Sequence, residues 1–259
     1  MTANLSSNVT DWLTFNFRTK YARSEKQVPN AYGGYDRNVI WHGFTRAWPS
    51  NAWIFPNGEY STSTMYDLLA LNGNELNKTD DFWVTIGGVF EPIAGWKTDI
   101  EYSFNNNAYK QTRLYKTTYG TYPDGTVFPL NNSVNQFNAW FSNNDYRMLH
   151  IVTSYERYIG DHYVNAMVGY EEELDKNAGL SGYKKSLVTQ EVASISTATG
   201  DIQINDWWEH WSTQGIFMRL NYNFKEKYLL EFNARRDGSS RFENADTQWG
   251  FFPVCFRWI

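Results

Sequence analysis

Neighbouring carboxylates are the first residues in this sequence whose types and spacing could support chemistry. Glu171-Glu172-Glu173 and Asp80-Asp81 each place acids side by side, and paired acids can act as an acid–base couple or hold a cation. Each run lies at one end of a predicted strand, next to a long connection. We therefore interpret both runs as solvated chain at a strand end rather than as a catalytic or metal site.

A nucleophilic serine is the second candidate, in the run Asp237-Gly238-Ser239-Ser240. The sequence has no G-x-S-x-G elbow to activate it, and Asp-Gly-Ser is typical of tight turns. Gly87-Gly88 could suggest a phosphate loop, but no helix follows it, and glycine within a strand pattern marks a bend or close backbone approach. The sequence predicts no catalytic residue and no enzyme.

Histidine and cysteine offer no metal site. The four histidines, His42, His150, His162 and His210, share no ligand-like spacing, and Cys255 is the only cysteine, so neither a zinc site nor a disulfide framework is expected. We predict no cofactor. The net charge is -5 with no basic run, so nucleic acid is not an expected partner either.

Aromatic side chains dominate the composition. Phe, Trp and Tyr make up 18% of the chain, and such residues favour strands. Stacking on a sugar is one interpretation of the rings in the predicted long connections, and packing or an interfacial aromatic girdle is the other. Both stay open for Trp41, Trp48, Trp53, Trp140, Trp207, Trp208 and Trp211.

The elements that would position these residues are strands with two different faces, because successive side chains on a strand point in opposite directions. Alternation predicts strands over 12–21, 82–91, 96–105, 146–156, 163–171, 215–224 and 228–236, with another from about Trp249. We call apolar face the side that holds Leu13, Ile100, Val168 and Leu230. The polar face is the side that holds Arg18, Lys20, Asp99, Glu101, Arg219 and Arg235.

Short and long connections between these strands alternate. The short ones are 92–95, 159–162 and 225–227, and the long ones are 22–81, 106–145, 172–214 and 237–248. Outer-membrane barrels have short turns on one side and long extracellular loops on the other. A secreted soluble β-rich glycan-binding module remains the alternative. A carbohydrate-active enzyme would need two carboxylates at catalytic separation, which the sequence does not provide.

A long motif carries a resemblance to a known family. The run Arg219–Phe242, followed by Trp249-Gly250-Phe251-Phe252-Pro253, closely resembles the barrel signature of SusC/RagA-type TonB-dependent outer-membrane transporters. Weaker matches cover Gly160–Glu171 and Thr10–Tyr21. The signature residues are Arg235, Arg236, Asp237, Gly238, Ser239, Ser240, Arg241, Phe242, Phe251, Phe252 and Pro253.

The resemblance implies a 22-stranded barrel with an N-terminal plug domain. It also implies import of glycans or peptides across the outer membrane, with energy from the TonB complex and a SusD-type surface lipoprotein as a lid. We expect residues 1–253 to be about seven to eight antiparallel strands of that barrel, a curved open sheet in contact with outer-membrane lipid. With no plug and no signal peptide in the sequence, we expect this fragment not to work alone.

The last six residues depart from the family pattern. After Phe-Phe-Pro the family continues Ser-Val-Ser-Ala-Gly, whereas this chain reads Val254-Cys255-Phe256-Arg257-Trp258-Ile259. One set of codons for this tail, shifted by a single nucleotide, spells the family pattern. We therefore hypothesise that 254–259 is translated out of frame.

Overall fold

One antiparallel sheet dominates the computed structural model, which describes residues 1–30, 42–43, 45–50, 54–56, 58–59, 71–121, 126–129, 134–244 and 247–258. Nine strands pair in the order β1-β2-β3-β4-β7-β8-β9-β10-β11, and β5 and β6 form a separate hairpin. The sheet is curved and open, with β1 and β11 at its edges. This confirms the predicted all-β fold class.

The strand bounds are β1 Thr2–Thr10, β2 Leu13–Pro29, β3 Asn74–Phe90, β4 Trp96–Tyr115, β5 Tyr119–Thr121, β6 Val127–Pro129, β7 Gln136–Ile159, β8 His162–Lys185, β9 Ile202–Phe224, β10 Tyr228–Ser239 and β11 Trp249–Trp258. A 3-10 turn spans Ile195–Thr197. No described helix has the length and apolar character that a membrane span needs. Every predicted strand is present. The structure adds β1, which the sequence did not predict because its short polar residues give little alternation.

The strands are longer than the sequence pattern indicates. β7 and β8 have 24 residues each, so much of the predicted connections 106–145 and 172–214 is paired strand. Polar residues such as Asn143, Asp145 and Arg147 interrupt the apolar face in these extensions, so the period-two signal is broken while the backbone pairing continues. The alternation of connections persists, with 11–12, 91–95, 160–161 and 225–227 short and 30–73, 116–135, 186–201 and 240–248 longer.

Backbone conformation explains how the short turns close. Gly95 and Gly160 have φ of 84° and 62°, in the left-handed region that glycine adopts without strain. A Cβ on Gly95 would lie 2.2 Å from the Glu156 carbonyl oxygen. In the third turn Lys225 and Glu226 both have positive φ, 53° and 56°, as a two-residue type I′ turn requires.

The strand register carries each face across the whole sheet. Ile100 pairs with Ile151, which pairs with Tyr170, which pairs with Ile216. Ile100, Val168 and Leu230 remain 46%, 49% and 42% exposed. No other described element covers this apolar face, and the buried hydrophobic residues are only Tyr115, Ala139, Leu187, Ala198 and Ala234. A second packed sheet, as in a soluble sandwich, is therefore not found in the described residues.

The apolar face is a band with two limits. On β3 it runs from Phe90 to Phe82, about 26 Å along the strand at ~3.3 Å per residue. Near the short turns, Trp12 packs on Phe90 with ring centroids 4.9 Å apart. At the other limit the same face becomes polar, because Arg23 Nε donates to Asp80 Oδ1 at 2.6 Å. At the strand tilt of about 35–45° found in outer-membrane barrels, this length corresponds to a height of roughly 20 Å, near the apolar band of about 25 Å that such barrels carry between aromatic girdles.

The pKa of Asp80 is lowered to about 2, first by the hydrogen bond from Arg23 and then by the hydroxyl of Tyr21. The carboxylate therefore keeps its charge at any pH above its lowered pKa. A charged pair of this kind belongs in water, and it lies two residues beyond Phe82 on the same face. The Arg23–Asp80 pair therefore marks the position on β2 and β3 where the apolar band ends and the water-exposed part of the strands begins.

Spin labels on β8 should distinguish the two faces. In a Cys255→Ser chain dissolved in lauryl dimethylamine oxide, labels at Val164, Ala166 and Val168 should contact the micelle interior and collide preferentially with oxygen. Labels at Asn165 and Met167 should collide preferentially with a water-soluble nickel complex. The measurement is power-saturation electron paramagnetic resonance. Equal accessibility at all five positions, or burial of the first three from both reagents, would contradict this assignment.

Candidate functional site

A row of ionisable side chains crosses the polar face. Glu101 pairs in register with His150, and His150 with Glu171. Glu101 forms an ion pair with Arg18, and the Glu171 carboxylate lies 3.5 Å from His150 Nδ1. A depression of about 520 Å³ along this row is lined by Lys97, Asp99, Glu101, Met148, His150, Val152, Ser154 and Glu171. These groups are partly hydrated, so the row can bind polar segments, while each pair adds only about 0–1 kcal/mol to stability.

The three consecutive acids do not form one site. Glu171 lies on the polar face, whereas Glu172 pairs with Leu149 on the opposite face and accepts a hydrogen bond from the hydroxyl of Tyr170. Adjacent strand residues diverge in this way by geometry. Asp80 and Asp81 diverge similarly, since Asp81 accepts from Asn105 Nδ2 at 2.8 Å on the polar face. The divergence argues against a catalytic pair in either run. The interpretation of both runs as chain at a strand end is wrong, because they lie inside β8 and β3.

Arg235 of the family signature belongs to the same surface. Its Nε donates to Asp237 Oδ1 at 2.6 Å, and its guanidinium lies 5.3 Å above the ring of Phe217. A Cβ on Gly215 would lie 2.7 Å from that Asp237 oxygen, so a larger residue at this position would make the two flexible side chains of the pair shift. Sequence analysis did not assign Gly215 to the site, although a glycine inside a strand is the signal that marks close approach.

The other signature residues fix the end of β10 to its neighbours. Ser240 N–H donates to the Ser212 carbonyl at 2.9 Å, and Ser212 N–H donates to Ser240 Oγ at 2.8 Å. Arg236 lies 4.9 Å above the ring of Trp249 and Arg241 lies 4.9 Å above that of Trp211. The prediction that Asp237-Gly238-Ser239 is itself a turn is wrong, because all three complete β10 and the turn begins at Ser240.

The candidate tryptophans do not share one environment. Trp41 and Trp53 lie outside the described residues, and Trp48 is 74% exposed. The expectation that the remaining four lie in connections is wrong. They lie on strands whose outer extensions lack a regular apolar face, so local alternation did not predict those parts of the strands. Those four are Trp140 on β7 and Trp207, Trp208 and Trp211 on β9.

The rings of Trp140 and Trp207 meet on the polar face, with centroids 4.5 Å apart and planes at 47°. A Cβ on Gly179, the partner of Trp207 on β8, would lie 2.0 Å from the indole. The Trp207 ring therefore lies across β8 where glycine leaves the backbone bare. Trp208 points to the opposite face and stacks on His210 at 5.6 Å.

A cleft of about 190 Å³ opens beside these rings, and we call it the aromatic cleft. Ala139 and Gly182 contribute little side-chain surface to its lining. The other lining residues are Gln111, Arg113, Asn138, Trp140, Ser181, Tyr183 and Asn205. They come from β4, β7, β8 and β9, in two adjacent cross-strand rows. Sequence analysis named Trp140 and missed the others, because each polar residue belongs to a different strand and no local motif links them.

Buried Glu75 anchors one side of the aromatic cleft. Its Oε2 lies 2.8 Å from Arg113 Nε, and its Oε1 accepts from Asn77 Nδ2 at 2.6 Å and from Gln111 Nε2 at 3.1 Å. The Glu75 side chain is only 8% exposed. The Arg113 charge is thereby neutralised, and the amides are held in one orientation.

A metal site is not found in the described residues, where no three of His, Cys, Asp and Glu group closely enough to hold an ion. The chemistry available to the polar face is hydrogen bonding, ion pairing and ring stacking.

Known proteins similar to this chain are transport receptors. TonB-dependent receptor P3 of Formosa agariphila is 24% identical over 208 residues, covering 76% of this chain and 20% of that protein. TonB-dependent receptor SusC of Bacteroides thetaiotaomicron is 26% identical over 231 residues, covering 85% and 20%. The chain thus spans about a fifth of these relatives' length. No family model matches the sequence.

Solved structures agree on the fold. The RagAB peptide transporter superimposes with a TM-score of 0.78 at 14% identity, over 98% of this chain and 29% of that one. The RagAB peptide importer in its open-open state gives 0.76 at 15% identity, over 97% and 28%. Together with the sequence relatives, these matches confirm the resemblance to the barrel of SusC/RagA-type TonB-dependent receptors.

The glycine beneath Trp207 gives a prediction. Gly179→Ala should displace the indole, because the added methyl would overlap the ring, and should destabilise the chain by about 1–3 kcal/mol as other overpacked sites do. Near-ultraviolet circular dichroism and urea unfolding in detergent measure both effects. In the Gly179→Ala/Trp207→Ala double variant the added penalty should vanish. A penalty that survives removal of the ring would refute the overlap.

Proposed function

We propose that this chain supplies nine strands to the wall of an outer-membrane importer of the SusC/RagA type. The observation that carries the proposal is the exposed apolar band on the long strands, opposite a face that carries the sheet's ion pairs. In water this band would expose rings and aliphatic groups such as Ile100 and Val168, which is unfavourable by roughly 25 cal/mol per Å². Hydrocarbon is the solvent that removes this penalty.

The polar face then lines the lumen. Arg18, Glu101, Glu171 and Arg235 form its ion pairs, and the depression beside them is open to water. The short turns face the periplasm and the long connections face outward, as in barrels of this class. The function is binding and passage of a solute, with no catalytic step.

Strands from outside this chain complete the wall in our proposal. The free edges of β1 and β11 leave backbone groups without partners in the described sheet, and each such group costs several kcal/mol in hydrocarbon. Transport therefore requires further strands paired to both edges. The chain alone is not expected to transport.

The whole receptor would take a glycan or a peptide as its substrate. One structural relative is the RagAB peptide transporter, and a sequence relative is the SusC receptor. We propose a SusD-type lipoprotein at the outer rim and TonB as the source of energy, with residence in the outer membrane. The long connections and the strand extensions are the parts that would contact the lipoprotein and the substrate.

The faces of β11 support the proposal that 254–259 is out of frame. Val254 and Phe256 lie on the polar face, opposite Asn233 and Glu231, while Arg257 lies on the apolar face opposite Leu230. This reverses the pattern that Phe251 and Pro253 follow on the same strand. The coding DNA decides the matter, because a single-base change that restores alternation should be found after the Pro253 codon, and its absence refutes the proposal.

Refolding tests the membrane assignment. Diluted from urea into buffer, the chain should aggregate, whereas in lauryl dimethylamine oxide it should stay dispersed with strong β-sheet circular dichroism. Replacing Ile100, Val168 and Leu220 together by Thr should lower the detergent concentration needed. Analytical ultracentrifugation measures the dispersion.

A matched triple variant on the polar face, Ser103→Thr, Ser154→Thr and Asn221→Thr, is the control and should leave the requirement unchanged. A monodisperse monomer in plain buffer would favour the alternative, a secreted soluble glycan-binding module, and would overturn the proposal.

A further inference from the structure

We infer that the aromatic cleft binds one ring of a neutral oligosaccharide. The inference deepens the proposed function, since it rests on the polar face being the solute-facing wall. It concerns the outer extension of the strands, where Trp140 lies well beyond the apolar band. On β7, Trp140 is nine residues from Leu149, the last apolar residue of the band on that strand.

The ring pair provides a stacking surface. Trp207 is held flat by the bare backbone at Gly179, and Trp140 stands at 47° to it while remaining 42% exposed. Trp140 lines the cleft, and Trp207, which is half-buried, supports it from the side. Aromatic faces bind the C–H face of a pyranose by burying apolar area while its hydroxyl groups stay at the edge.

Hydrogen-bonding groups surround this surface in register. Trp140 pairs with Ser181 on β8, and Ser181 pairs with Asn205 on β9. Within the part of the chain that the structure describes, neither the Ser181 hydroxyl nor the Asn205 amide hydrogen-bonds another residue. Hydroxyl and amide groups both donate and accept, which matches the hydroxyl groups of a sugar. Water-filled clefts lined in this way exchange water for a ligand's hydroxyls at little cost.

The charge balance favours an uncharged ligand. Among the residues that line the cleft only Arg113 is ionic, and its partner Glu75 neutralises it at 2.8 Å. Outside the lining, Lys185 Nζ lies 5.9 Å from the ring of Tyr183, so the described lining itself presents no unpaired charge to a ligand. A neutral sugar meets only amide, hydroxyl and ring surfaces.

The dimensions limit what enters. The cleft volume of about 190 Å³ is below the roughly 300–1,000 Å³ of sites that enclose a drug-sized molecule. It therefore accommodates a single ring, with the rest of the chain lying along the strand extensions. A site of this size gives weak affinity for each ring and favours a polymer that offers many.

The test uses the full chain in lauryl dimethylamine oxide, a detergent without a sugar headgroup. Maltoheptaose, cellohexaose and xylohexaose are titrated with tryptophan fluorescence as the readout, and saturation-transfer NMR identifies the sugar protons at the rings. At least one sugar should bind. Trp140→Ala and Trp207→Ala should each weaken binding about tenfold, the scale of losing one ring-stacking contact.

Trp208→Ala is the matched control, because that ring is the next residue on β9 and points to the opposite face. It should leave binding within about twofold of the unaltered chain. Trp140→Phe keeps a stacking ring and should retain most of the affinity, so a loss caused by misfolding is separated from a loss of contact. Asn205→Ala, an exposed change, should also weaken binding.

Three results would overturn the inference. None of the three sugars binds, Trp208→Ala weakens binding as much as Trp140→Ala, or an uncharged peptide binds at Trp140 in place of every sugar. Failure of the site leaves the spin-label alternation on β8 intact. Failure of the membrane assignment instead removes that alternation and the detergent requirement, while sugar binding at Trp140 can persist.

Discussion

The unbroken register of the cross-strand ladder is the constraint on which this structure depends. Each side chain keeps its face only because its strand pairs with its neighbour without a slip, and a shift of one residue would exchange the two faces of a strand. The ladder runs in register from β2 through β11. In the membrane placement proposed above, hydrocarbon on one side and water on the other then act on these eight strands as on one surface. The reversed residues 254–258 are conspicuous because pairing continues there while the face pattern does not.

Local alternation was sufficient to predict the parts of the strands where one face is apolar and the other polar. It was insufficient beyond Phe82 and Leu149, because polar residues interrupt the apolar face there and the sequence no longer distinguishes strand from loop. Trp140 and Trp207 were identified as candidates from their type alone. Their contact could not be predicted, since 67 positions separate them in the sequence and only the pairing of β7, β8 and β9 brings them together. The edge strand β1 escaped prediction for the same reason as the extensions.

Glycines opposite large rings recur on the polar face and explain part of the signature. Gly169 lies beneath Phe217 and Gly179 beneath Trp207, each with no room for a Cβ. Phe217 in turn supports the guanidinium of Arg235, which holds Asp237. The conspicuous Arg-Arg-Asp-Gly run thus depends on Gly169, two strands away, which lies in the separate and weaker family match over Gly160–Glu171. Removing the side chain at one position lets a ring on the neighbouring strand cover the backbone, which excludes water from part of the sheet.

The long extensions of β7 and β8 have a thermodynamic consequence. Flexible loops that close around a solute lose conformational entropy at the moment of contact, and each ordered side chain subtracts about 0.5–1.5 kcal/mol from the affinity. Trp140 and Trp207 belong instead to hydrogen-bonded strands. Gly179 beneath Trp207 and the buried carboxylate of Glu75 restrict their surroundings before any solute binds. The entropy cost of ordering these two rings is therefore met during folding and not when a solute binds. Such a preorganised rim can release its solute as readily as it takes it, because shallow contacts on a rigid wall need no rearrangement in either direction.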